Sequence, residues 1–225
     1  MKYVIGTMRP NFLLLAVACV FLAMAAAIWT HGEINAWHAA LAFIGGLAAH
    51  ASVNAINEYQ DVKSGLDYRT NRTPFSGGSG TLIQDESKAP IVLWTTIVTA
   101  LIAVAIGVYF AIVVGWMIVL IGVAGLLVIF TYTRWLNRQP LLCLLSPGFG
   151  FGTLMVLGAY YVLTGTITWT AVVASFVPFF LVSNLLLLNQ FPDVEADKTV
   201  SRKHYRILIG KKASAVIYVC FLAAT

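Results

Sequence analysis

Two clusters of amide and carboxylate side chains stand at the ends of long apolar runs in this chain. The first is Asn57-Glu58-Tyr59-Gln60-Asp61-Val62-Lys63-Ser64-Gly65-Leu66-Asp67, and the second is Asn189-Gln190-Phe191-Pro192-Asp193-Val194-Glu195-Ala196-Asp197. Oxygen-rich faces of this kind suit Mg²⁺, which favours octahedral oxygen ligands and usually combines one or two carboxylates with substrate phosphates. Carboxylates are costly beside hydrocarbon, so a chain that keeps two such clusters at membrane edges has a use for them. The chemistry they suggest is Mg²⁺-assisted handling of a diphosphate.

Spacing indicates how each cluster is presented. Asn57 and Asp61 are four apart and share a helix face, whereas Asp67 on an unbroken helix would point away. Gly65 offers a break that folds Asp67 back towards the pair. Asn189, Asp193 and Asp197 form an i, i+4, i+8 stripe, and Pro192, lacking an amide proton, predicts a kink in it. His50 and Asn54 extend the first stripe inward; either a cavity or hydrogen bonding between packed helices accounts for them. Gly77-Gly78-Ser79-Gly80 lacks the Lys-Ser/Thr of a P-loop, so it reads equally as an amide cradle for phosphate or as a lid.

The elements that carry these clusters are membrane spans. Of 225 residues, 60% are hydrophobic and 10% charged, and the mean hydropathy is +0.85; soluble domains are about 25% charged. Apolar runs of spanning length fall at about 11–30, 38–57, 91–112, 116–133, 146–164 and 169–190, with a seventh beginning near Ala213. Lys2 and Arg9 followed by an apolar run could open a secretory signal, but the run is long and serves better as a retained first span. Threading the spans puts all 14 basic residues, Arg134 among them, on one side and none in the opposite loops at about 31–37, 113–115 and 165–168. By the positive-inside rule that side, with the N-terminus, is cytoplasmic. The net charge of +5 is thus a topology signal, and nucleic-acid binding is not expected. Two longer cytoplasmic segments, 58–90 and 191–212, each begin with one cluster. Cys19, Cys143 and Cys220 form no CxxC and read as buried thiols without disulfide or metal role. The six tryptophans fall near span ends and read as an interfacial belt.

At this point the residues resemble a known family. The paired clusters look like the aspartate-rich motifs of UbiA-type intramembrane prenyltransferases, and Lys63-x-Gly65-x-Asp67 looks most like the 1,4-dihydroxy-2-naphthoate branch. Arg9-Pro10, Tyr132-Thr133, Gly158-Ala159-Tyr160-Tyr161 and Leu208-Ile209-Gly210 agree with it. The resemblance implies an all-α polytopic bundle around a central cavity, with nine spans in the family against six and the start of a seventh here. It implies one UbiA-like domain over 1–225, C-terminally incomplete, in the cell (inner) membrane with its site facing the cytoplasm. Asn57, Asp61, Asp67, Asn189, Asp193 and Asp197 would hold Mg²⁺ against a polyprenyl diphosphate, with Asp61, Asp193 and Arg72 closest to the chemistry. Arg9, Arg72 and Lys198 are candidates for an anion clamp, and Asn54 and Tyr132 for further substrate contacts. An aromatic acceptor such as 1,4-dihydroxy-2-naphthoate would receive the prenyl group; homogentisate, 4-hydroxybenzoate or a lipid alcohol are alternatives. The chain departs from the family at Ser201-Arg202-Lys203-His204-Tyr205, where a Gly-Lys-x-Thr-like stretch is expected.

A secondary transporter is the rival of another class. It would place ionisable residues near the bilayer midplane, whereas here they gather at span ends. A lipid-head-group phosphotransferase would carry a DG…AR…G…D pattern that is absent, and a purely structural subunit would not need two matched acidic sites.

Overall fold

Long apolar stretches bounded by Pro, Gly and polar caps give this chain helices and little else. The computed structural model describes residues 1–70, 72–73, 77–133 and 135–225; Arg134, counted above, lies outside them. The helices are α1 (Lys2–Met8), α2 (Pro10–His31), α3 (Ala36–Lys63), α4 (Ala89–Val113), α5 (Met117–Thr131), α6 (Pro140–Gly148), α7 (Val156–Thr164), α8 (Trp169–Thr199), α9 (Tyr205–Leu208) and α10 (Gly210–Ala223). Pro stands in the first turn of α2, α4 and α6, where its missing N–H costs nothing. Asn35 and Thr168 cap α3 and α8 through their side-chain oxygens, satisfying N–H groups that the first turn leaves free.

Five stretches are long and apolar enough to cross a membrane: Pro10–His31, Ala36–Lys63, Glu86–Val113, Pro140–Thr164 and Trp169–Thr199. The expected fourth span is the shorter apolar α5. The fifth is a composite. After Pro147 the helix widens into a π-helical segment, Phe149–Met155, before α7 resumes. Gly148, the last residue of α6, and Gly152 on this segment lie directly against the backbone of Phe179 in α8, the close approach that small residues permit between membrane helices. Gly152→Val should therefore push α8 away. The expected result is a loss of about 1–3 kcal/mol, as for an overpacked core, read as a lower unfolding temperature in detergent; an unchanged temperature would show that the two helices do not need this contact.

The apolar core lies between α2, α3, α4 and α7, around Val20, Ala23, Ala27, Phe110, Val156 and Tyr160. Tyr160 is fully buried, and its hydroxyl meets Thr30 Oγ1 at 2.8 Å and Thr168 Oγ1 at 2.9 Å, joining α2, α7 and the cap of α8 at the end away from the acidic clusters. All six tryptophans are exposed at helix ends, from 57% for Trp135 to 84% for Trp29, in line with the belt expected of them.

Two expectations change. The acidic clusters do not begin as loops: α3 continues to Lys63 and α8 to Thr199, so all but Asp67 are carried on helical ends. Pro192, expected to kink its helix, stands inside α8. It removes one backbone bond, which membrane helices tolerate where neighbouring groups compensate. Of the three cysteines, Cys19 and Cys143 are buried, but Cys220 is exposed on α10.

Candidate active site

The last turns of α3 present the first cluster, and each of its polar groups is held from a different direction. Asn54 Nδ2 donates to Met8 O at 2.8 Å, just before Arg9, whose left-handed backbone (φ 52°) turns the chain from α1 into α2. The Arg9 guanidinium lies 4.2 Å from the centroid of the Phe12 ring. Asn57 Oδ1 accepts the Thr133 hydroxyl at 2.6 Å, tying α3 to the end of α5. Gly65 does supply the break: with φ 77° it lets Leu66 N and Asp67 N both turn back to Asp61 O, at 3.0 and 3.4 Å. Asp67 is buried as a result, with Oδ2 left without a partner.

Arg202 joins the two clusters. Its guanidinium bonds Asp61 Oδ1 on α3 and, at 3.2 Å, Asp197 Oδ1 on α8. Asp197 Oδ2 meets His204 Nε2 at 3.1 Å. Asp193, one turn earlier on α8, has a buried Oδ1 with no partner. Ser201, in the left-handed region at φ 62°, makes the turn that brings Arg202 back, a conformation a non-glycine residue adopts at some cost.

Burial, then the neighbouring Asp61 and Glu58 carboxylates, push the Asp67 pKa up to about 7 against the pull of Arg72 and Arg202. Burial also lowers Arg9 from its ordinary value, although Glu58, Asp67 and Asp61 oppose it. Burial works against Arg202 too, but Asp61 and Asp197 outweigh it and hold its guanidinium above the ordinary value.

A cavity of about 480 Å³ runs inward from this cluster. Arg9, Asn54, Asn57, Tyr132 and Asn189 stand among its lining residues, which are otherwise mostly apolar. His50 lies on the wall with its ring 4.5 Å from that of Phe151, edge to face. Both readings of the inner stripe therefore have support: His50 and Asn54 line the cavity, and Asn54 also bonds the backbone at the end of α1. A second, smaller cavity of about 80 Å³ adjoins it, sharing Tyr132, Leu186 and Asn189.

Other candidates fall differently. Arg72 braces its own loop, Nε donating to Gly77 O at 3.1 Å and a terminal nitrogen to Asp67 O at 2.9 Å. In the glycine-rich turn the Ser79 amide is already engaged: Glu58, buried, accepts Ser79 N at 2.7 Å, Ser79 Oγ at 2.6 Å and, just beyond the turn, Thr81 N at 3.1 Å and Leu82 N at 3.3 Å. Lys198 pairs with the exposed Glu195 at 2.8 Å and lines neither cavity. The residues missed in the sequence are Arg202, His204 and the anchoring role of Glu58.

The donor set fits a hard divalent cation in its chemistry. Buried oxygens of Asp67 and Asp193 have no partner among the described residues, and amide oxygens from Asn57 and Asn189 belong to the same two helical stripes. Among the described residues no three acidic, imidazole or thiol groups converge closely enough to hold an ion by themselves, and Arg202 stands between Asp61 and Asp197 as the local cation.

The structure is thus that of an all-helical membrane bundle with two acidic helix ends beside one mostly apolar cavity. The UbiA prenyltransferase family model matches residues 15–225, and the chain belongs to that family. It is 28% identical over 178 residues to the 1,4-dihydroxy-2-naphthoate octaprenyltransferase of Bacillus subtilis (strain 168), covering 76% of this chain and 55% of that protein. It thus spans about half the length of this relative. The Escherichia coli (strain K12) protein of the same name is 25% identical, with 96% of this chain and 71% of that protein covered. A UbiA homologue from Archaeoglobus fulgidus, solved bound to DMAPP and Mg²⁺, has the same fold, with a TM-score of 0.71 at 16% identity over 99% of this chain and 74% of that one. The protein is an integral membrane protein of this family.

Proposed function

We propose that the chain transfers a polyprenyl group from a polyprenyl diphosphate to an aromatic acceptor, with Mg²⁺, at the cytoplasmic face of the cell (inner) membrane. The observation that carries this is the junction of an apolar cavity with two carboxylate-bearing helix ends whose buried oxygens lack partners. The cavity suits a prenyl tail, and the helix ends suit its head group. Asn57, Asp61, Asp67, Asn189, Asp193 and Asp197 would hold the metal. Bound Mg²⁺ would supply Lewis-acid charge to the diphosphate leaving group. Arg9, at the cavity mouth, would bind the diphosphate directly, and Arg72 would hold Asp67 and the glycine-rich turn in place. As the allylic C–O bond breaks, its electron pair leaves with the diphosphate. The apolar wall excludes water from the carbocation, and a ring carbon of the acceptor forms the new bond.

The names of the bacterial relatives make 1,4-dihydroxy-2-naphthoate the first acceptor to test; there the ring carbon would lose its carboxylate as CO₂ while gaining the prenyl group. The test uses purified protein, a labelled polyprenyl diphosphate and a panel of aromatic acceptors, each with and without Mg²⁺. Prenylated product that requires Mg²⁺ is expected. A folded protein that prenylates none of the acceptors would overturn the reading.

A further inference from the structure

The small cavity beside the main one is polar where the main one is apolar. Asn137, Asp193, Asp197, Arg202 and His204 stand among its lining residues. Among the described residues, three buried atoms of this lining lack hydrogen-bond partners: Asn137 Oδ1, Asp193 Oδ1 and His204 Nδ1. Asn137 is 3% exposed and His204 2%. Unsatisfied groups this deep are uncommon in native proteins and call for an occupant.

The partners around these atoms decide what kind of occupant. His204 Nε2 faces Asp197 Oδ2 at 3.1 Å, so its proton belongs there and Nδ1 is left as an acceptor. Asn137 Oδ1 is an acceptor by nature, while Asp193 Oδ1 is already assigned to the metal. Asn137 Oδ1 and His204 Nδ1 therefore want a donor, which a hydroxyl supplies and a carboxylate or phosphate does not.

The scaffold holds both side chains firmly. Asn137 sits on the 3₁₀ turn Leu136–Arg138, whose backbone is fixed by Asn137 N to Tyr132 O at 3.0 Å and by Lys203 N to Asn137 O at 3.1 Å. The second bond fixes the residue next to His204. Through the shared residues Tyr132, Leu186 and Asn189 the pocket adjoins the main cavity, beside the end where the diphosphate would react.

We infer that this pocket is a hydroxyl subsite for the aromatic acceptor, in which Asn137 Oδ1 and His204 Nδ1 accept hydrogen bonds from a phenolic hydroxyl and so choose which ring edge meets the prenyl carbon. The inference rests on the prenyl-transfer reading and names the side of the acceptor that is recognised. The competing occupant is ordered water, for which the pocket also has room.

The experiment compares a hydroxylated acceptor that gives product with its O-methyl ether in wild type, Asn137→Leu, His204→Gln and His204→Asn. Gln keeps a donor where Nε2 was and loses the atom facing the pocket, whereas Asn keeps an atom near Nδ1 and loses the Asp197 contact. Wild type should prefer the free hydroxyl. Asn137→Leu and His204→Gln should each raise the KM for the hydroxylated acceptor about tenfold, the worth of one hydrogen bond, and reduce the preference over the ether by a similar factor. The KM for prenyl diphosphate should stay within about twofold, since neither removed atom is among the groups proposed to hold it, and His204→Asn should retain the preference. Binding of the hydroxylated acceptor, measured by calorimetry without prenyl diphosphate or metal, should weaken in the same two variants. Product formation with unchanged acceptor KM and unchanged preference in both would overturn the subsite and assign the pocket to water. Loss of preference in His204→Asn but not His204→Gln would also overturn it, because His204 would then serve only to hold Asp197. Failure of the prenyl-transfer reading looks different: wild type itself would yield no product from any acceptor.

Discussion

Arg202→Met should lower stability in metal-free detergent by about 3 kcal/mol, the usual cost of removing one member of a buried ion pair. The guanidinium is the direct tie between the acidic end of α3 and that of α8, and its partners are sheltered: side-chain exposure is 22% for Arg202, 18% for Asp61 and 5% for Asp197. Met keeps much of the apolar stem but leaves two carboxylates facing each other without a cation. The loss should be partly recovered by millimolar Mg²⁺, since a divalent ion can neutralise the same pair. Thermal unfolding of wild type and variant, with Mg²⁺ and with chelator, measures both effects. Equal unfolding temperatures in chelator would mean the bridge adds nothing, and an Mg²⁺-independent loss would count against these carboxylates as metal donors.

Asp193→Asn should divide stability from activity. In the folded protein Asp193 Oδ1 is buried and unpartnered, so removing its charge costs no ion pair and should leave stability unchanged or raise it by about 1 kcal/mol. If Asp193 holds the metal against the diphosphate, turnover should fall by about 10²–10³-fold, the range seen when one transition-state stabilising contact is removed. Asp61→Asn should lose both, because Asp61 also holds Arg202. Single-turnover rates and unfolding curves on the two variants separate a metal donor from a structural brace. Near-normal turnover in a folded Asp193→Asn protein would remove Asp193 from the proposed site.

The parts of this arrangement that follow local rules were legible in the sequence. Helical spacing put Asn57 with Asp61 and Asn189 with Asp193 and Asp197 on common faces, and Gly65 marked the turn that returns Asp67 to Asp61. Apolar runs located the spans, although the acidic residues extended α3 and α8 beyond them, because a helix end in water needs no hydrocarbon to continue. What could not be read were long-range partners. Nothing in Ser201-Arg202-Lys203-His204 says that Arg202 will reach across to Asp61, 141 residues away. The available signal was a count of charge: two acidic helix ends that approach each other need a cation between them, and this stretch supplies one. Glu58 was similarly invisible as an anchor. Its role depends on the turn at Ser79–Leu82 closing over it, and that is tertiary packing rather than pattern.

The six exposed indoles at the helix ends, none of which lines either cavity, make the protein's intrinsic fluorescence a gauge of its lipid or detergent surroundings. Emission will follow headgroup polarity and annular quenchers while staying nearly blind to what fills the interior. A binding assay by tryptophan quenching would report silence even at saturation, so an optical readout of occupancy needs an indole placed on the inner wall in a background where the native six have been replaced.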